Sequence, residues 1–201
     1  MLLGGRLRYE DADPPVVPSE EEPLSSPFAP EHAPVGDVGA ALMMIDSRIK
    51  SVRDGSTGTD PEQQALIDQF MASLSPQEAG DVLEGACTLV YVFTTWLQKA
   101  HEEHDKDVIE YVVPNLVATM NMMPRSVRPE AIPTMAGLVV SAALGLSPNL
   151  WRKQYGEWTE KEMNPLEVTA FLLAEHINRI TGDPDFATTM VAKALSTADG
   201  G

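Results

Sequence analysis

The sequence predicts an all-α fold: a single compact multi-helix bundle or array of about seven or eight helices, preceded by a disordered, acidic, proline-rich arm. Three observations carry that expectation. A capping residue followed by proline recurs at Asp60, Ser75, Ser147, Asn164 and Asp183, and this pair satisfies a free backbone amide while placing proline where no helical N–H is needed. Between these starts, apolar residues return at helical spacing. Finally, residues 1–36 contain prolines 14, 15, 18, 23, 27, 30 and 34 and the run Glu20, Glu21, Glu22 with few large apolar side chains, too little to offset the entropy of ordering.

The arm reads first as a solvated, solubilising extension. Its sharper reading is a docking arm with Leu24 and Phe28 of LSSPF as anchors. Residues 37–196 then form the domain, and residues 197–201 fray. In order, Val38, Ala41, Leu42, Ile45, Ile49 and Val52 predict a first helix over 37–54, with Arg48, Lys50 and Arg53 toward its negative end and Gly55 stopping it. A second opens at Asp60 and buries Leu66, Ile67, Phe70, Met71 and Leu74. A third opens on the capping box Ser75 to Glu78, carries an apolar run from Val82 through Leu97 and continues into the polar tail Gln98 to Lys106. Within it, CTLVYVFTTW at 87–96 is rich in β-branched and aromatic residues that favour a strand. The box and the length of the apolar run favour one central helix.

Residues 108–113 and 115–123 carry helical spacing on either side of Pro114, where a kink or break is expected. Residues 133–144 form a helix ending at Gly145, its Ala136, Gly137 and Ala143 small enough for close approach of a neighbour. Ser147 and Pro148 open a short helix with Trp151 and Tyr155, ended by Gly156, and Thr159 and Glu162 cap a single turn. Asn164 and Pro165 open the broadest apolar helix, in which Leu166, Ala170, Leu173, Ala174, Ile177 and Ile180 share a face that Val168, Phe171 and Leu172 widen, before Gly182. Asp183 and Pro184 open the last, with Phe186, Met190, Val191, Ala194 and Leu195 inward.

Composition narrows the function classes. A chain of 201 residues at 43% hydrophobic suits one domain plus a tail. The formal net charge of -16 disfavours nucleic acid and anionic membranes as partners, because both draw on clustered Lys and Arg. The charge is general, since the acidic arm balances only Arg6 and Arg8 and leaves the larger part on the domain. Cys87 is the single cysteine and sits in an apolar run, which suits a packed side chain in a reducing, cytoplasmic setting. The N-terminus MLLGGRLRYEDADPP lacks the apolar core of a secretory signal. The run Ala131 to Leu150 is interrupted by Pro133 and Pro148, so it reads as core and not as a membrane span.

No chemistry motif stands out. His101 and His104 among Glu102, Glu103, Asp105 and Asp107 form a weak metal candidate, and a solvated helix end explains them as well. No cofactor is expected, because no glycine-rich phosphate loop or Glu-x-x-His pair occurs. The preferred functional segment is Trp151, Arg152, Lys153, Tyr155 and Trp158, residue types enriched in binding hot spots. The competing role for those tryptophans is to cover the helix that follows.

The sequence therefore points to a non-catalytic protein-interaction or regulatory domain that binds another protein through 151–158 and adjacent apolar surface. The alternative is a helical-bundle small-molecule binder or enzyme with an interior pocket lined by Met120, Met123, Phe171 and His176. A deep cavity with a strongly perturbed His176 would support that reading; otherwise His176, on the border of the apolar face, reads as a core-edge histidine bonded to a backbone carbonyl rather than as a catalytic base. An acidic mimic of nucleic acid ranks third, since the carboxylates are scattered rather than arrayed.

Overall fold

The computed structural model describes residues 32–55, 69 and 75–199. Among them are seven α-helices, one short 3-10 turn at Pro129–Ala131 and no strand. The helices are α1 (Val35–Arg53), α2 (Pro76–Glu102), α3 (Val108–Asn121), α4 (Ile132–Ala143), α5 (Pro148–Lys153), α6 (Glu160–Thr181) and α7 (Phe186–Asp199). Residues 1–31 and the helix expected from Asp60 to Leu74, apart from Gln69, lie outside the described residues.

The ambiguous run at 87–96 is helical. Its capping box forms, with Ser75 N–H donating to Glu78 Oε2 and Glu78 N–H to Ser75 Oγ. Strand propensity is overridden because Cys87, Leu89, Val90, Phe93 and Leu97 are all buried without measurable exposure, so packing surrounds α2 on nearly every side. It touches α1, α3, α4, α5 and α6, and shares the centre of the molecule with α6. Toward their N-termini both helices lie beside α5, which Glu84 and Glu162 each reach, and toward their C-termini they meet at His101 and His176. They therefore run in the same direction. The α6 face is as broad as expected: Leu166, Val168, Ala170, Phe171, Leu173, Ala174 and Ile177 are buried, while Leu172 and Ile180 are half-buried against the core.

Three boundaries differ from expectation. The turn capped by Thr159 is continuous with the helix after it, so α6 starts at Glu160 and Asn164 is not its cap. Glu162 accepts from Thr159 N–H and Oγ1–H, fixing the start there, while Asn164 Nδ2 donates to the Ser126 carbonyl. Pro165 then sits one turn inside α6. Pro114 likewise does not break α3. Pro114 and Glu110 both lie on the exposed side, so the carbonyl that proline leaves unbonded faces water. At the other end of the chain, α7 continues to Asp199, into the stretch 197–201 expected to fray.

The fold begins before α1. Ala33 is buried, its N–H donates to Thr88 Oγ1 on α2, and the His32 ring lies 4.4 Å from that of Tyr91. α1 crosses α2 at Gly85, where an added Cβ would stand 2.3 Å from the Asp37 carbonyl oxygen. Its far end is held by Arg53, which donates to Asp185 and the Pro184 carbonyl. The run Ala131 to Leu150 is split at Gly145 (φ 74) into α4 and α5. Among the described residues no helix is long and apolar enough to cross a membrane.

Candidate functional site

The segment singled out in the sequence is α5 and the turn that joins it to α6. Ser147 caps α5 by accepting from Leu150 N–H, Pro148 fills its first turn, and Gly156 at φ 93 reverses the chain. Asn149 is buried and donates to the Glu84 carbonyl and to Thr88 Oγ1, pinning α5 to α2.

The structure gives the five side chains different tasks. Trp151 is half-buried, with its indole over Gly137 of α4, where a Cβ would lie 2.5 Å from Cη2. The small residue expected to admit a neighbour thus admits an aromatic ring. Arg152 is buried, at 4% exposure. It donates to the Gly156 and Glu157 carbonyls at 2.6 and 3.0 Å and to Glu162 Oε2 at 2.8 Å. Its guanidinium carbon lies 4.4 Å from the centroid of Trp158, which is half-buried against the core. Arg152 and Trp158 therefore form a clamp on the α5–α6 turn. Burial raises the Glu162 carboxyl, but the bonds from Thr159 and Arg152 outweigh it and hold the group below the usual carboxylate range.

Lys153 pairs with Glu84 at 3.0 Å and stays largely exposed. Tyr155 is 66% exposed, with its ring 4.7 Å from that of Trp151. Just before them in the chain, Leu144, Leu146 and Leu150 are each more than half exposed. The outward surface of this region is therefore Leu144, Leu146, Leu150, Tyr155, Lys153 and one side of Trp151. The sequence reading missed the three leucines because Leu is normally assigned to the core. A signal was present: Gly145 and Ser147-Pro148 force a stop and a restart within a few residues, which turns neighbouring side chains outward.

The residues of the interior alternative are placed differently. Met120 and Phe171 belong to the packed core and Met123 rests partly against it. Phe171 faces Arg48 of α1, whose guanidinium carbon is 5.3 Å from the ring centroid. His176 meets His101 of α2, with stacked rings 5.9 Å apart. Phe171 and His176 thus point to different neighbouring helices. It is His101, not His176, that bonds a backbone carbonyl, donating from Nδ1 to Leu97. The Nε2 of His176 is buried without a hydrogen-bond partner among the described residues. Burial, then the charges of Arg179 and His101, push His176 down to about 4. Cys87 is fully buried, which raises its thiol. His104 lies on the exposed turn after α2, and among the described residues no group of three or more His, Cys, Asp and Glu side chains is placed to hold a metal.

No family model matches the chain, and no curated protein and no solved structure matches it either.

Proposed function

We propose that this chain is a non-catalytic interaction module, an adaptor or regulatory domain that binds another protein through the surface around α5. The observation that supports it is the exposure of Leu144, Leu146, Leu150 and Tyr155 within residues 144–155, beside the half-buried Trp151. Scattered exposed apolar residues need no explanation, but several large ones gathered at one short helix are what a binding surface leaves in water. Tyr155 and Trp151 supply rigid area at low entropic cost, and Lys153 supplies a polar rim. Arg152 and Trp158 contribute by fixing the α5–α6 turn that presents Tyr155. The lone buried thiol of Cys87 fits a partner in a reducing, cytoplasmic compartment.

Affinity capture from native lysate tests this reading. The full chain is compared with a Leu150→Ser, Tyr155→Ser double variant and with a Met43→Ser, Met122→Ser control, whose methionines are also exposed but lie on α1 and after α3. The expected result is a captured protein depleted at least tenfold by the first variant, about 1.4 kcal/mol in binding, and retained by the control. An unchanged set of captured proteins overturns the reading.

A further inference from the structure

We propose that the partner of the α5 surface is a basic amphipathic protein segment, its apolar side chains set on Leu150, Trp151 and Tyr155 and its Lys or Arg side chains set toward Asp37, Asp81 and Glu84. This rests on the reading of that surface as a binding site and adds the chemistry of its occupant. The apolar and acidic parts of the surface are joined by a contact. Lys153 stands one helical turn after the exposed Leu150 on the same side of α5, and its Nζ lies 3.0 Å from Glu84 Oε1 of α2. Glu84 follows Asp81 by one turn of α2. Asp37 of α1 lies within electrostatic reach of both, with its carbonyl over Gly85. Three carboxylates from two other helices therefore adjoin the exposed side of α5.

The charge left there is negative. Lys153 offsets one of the three carboxylates, and no ion pair among the described residues takes up Asp37 or Asp81. Burial, and then Asp81 and Glu84, raise the Asp37 carboxyl, so a cation brought to this group relieves a repulsion that the fold sustains. A single metal ion does not answer it, because among the described residues no group of three or more His, Cys, Asp and Glu side chains is placed to hold one. Cations spaced along a peptide do, and the same peptide can cover Leu150 and Tyr155 with its apolar side. A second copy would bring the same carboxylates to the same face, and the net charge of -16 repels polyanions. Charge complementarity therefore selects a basic segment and speeds its approach.

The test titrates the full chain into a fluorescently labelled helical peptide with leucines on one face and lysines on the other, read by anisotropy. Comparison peptides carry glutamates in place of the lysines, or serines in place of the leucines. The peptide with both leucines and lysines is expected to bind most tightly, and less so as salt rises. Asp37→Asn with Asp81→Asn is expected to weaken it roughly tenfold with circular dichroism unchanged, and Asp81→Asn alone, which leaves the α1 crossing untouched, to give part of that loss. Glu102→Gln with Glu103→Gln removes the same charge at the exposed far end of α2, about 30 Å away along the helix and beyond the reach of screened charge, and is expected to change binding less than about twofold. Equal weakening by the two pairs marks a general attraction between opposite charges and overturns the proposal. So does a peptide with leucines and lysines that fails to bind, or that binds no better than either comparison peptide. If in that case the Leu150→Ser, Tyr155→Ser variant still loses its captured protein, the binding surface stands and only the basic character of its partner falls.

Discussion

Gly85 sets how closely α1 can approach α2. Its missing Cβ is the space taken by the Asp37 carbonyl, and backbone cannot swing aside as a side chain can. Gly85→Ala is therefore expected to cost about 1–3 kcal/mol in urea unfolding despite the better helix propensity of alanine. Gly39 of α1 meets nothing within 4 Å, so Gly39→Ala should stabilise by about 0.5–1 kcal/mol. Opposite signs for the two replacements check the crossing geometry; equal signs would contradict it. Nothing in the sequence separates these glycines, since both lie inside helices among apolar neighbours. The same holds for Arg152: its type suggested a surface contact, and only the approach of Glu162 and Trp158 reveals a buried clamp. Arg152→Met should lose about 3–5 kcal/mol, because Glu162 keeps its charge without its cation. Arg152→Lys should fall between, lacking the planar fork that reaches two carbonyls and a carboxylate at once. If Arg152→Met cost under about 1 kcal/mol in the same assay, the clamp would not hold the turn.

Elements add a second kind of dependence, because a helix end is fixed by what it meets. Two start signals compete ahead of α6, at Thr159 and at Asn164, and sequence alone favours the one followed by proline. The fold chooses Thr159, since Asn164 is recruited by the Ser126 carbonyl. Where α2 and α6 meet, His176 stacks on His101 with its Nε2 buried and unpartnered among the described residues. Burial is the main cause that lowers it to about 4, followed by the charges of Arg179 and His101. Its unfolded value is about 6.5, so between these two values the unfolded chain binds the proton that the folded chain refuses. The contribution is complete above about pH 6.5 and is lost as pH falls toward 4. Because the ring is only partly buried, the loss amounts to about 1–2 kcal/mol rather than the full value of the shift. Urea titrations at a series of pH values should show this slope in the parent and not in His176→Gln. A slope that persists in the variant assigns it to other groups.

At the scale of the whole molecule, the net charge of -16 loads the folded state with self-repulsion. It is visible where Asp37 lies near Asp81 and Glu84: burial first, and then those two carboxylates, raise its carboxyl above the ordinary value. Raising salt from about 0.05 to 0.5 M should therefore increase Tm by roughly a few degrees in calorimetry, screening repulsion more than it weakens pairs such as Arg53 with Asp185. A fall in Tm would mean that the surface pairs dominate. What the sequence by itself determined is the helical class, most helix starts and stops, the buried face of α6 and that of α1 as far as Ile49, beyond which Val52 of the expected stripe lies exposed, because caps, glycines and apolar periodicity act over one or two turns. What only the tertiary structure decided is which side chains remain in water: Arg152 turned inward, Leu144, Leu146 and Leu150 left outside, Trp151 laid over Gly137. Those outcomes depend on segments far apart in the chain meeting at one place, and no local pattern encodes that meeting.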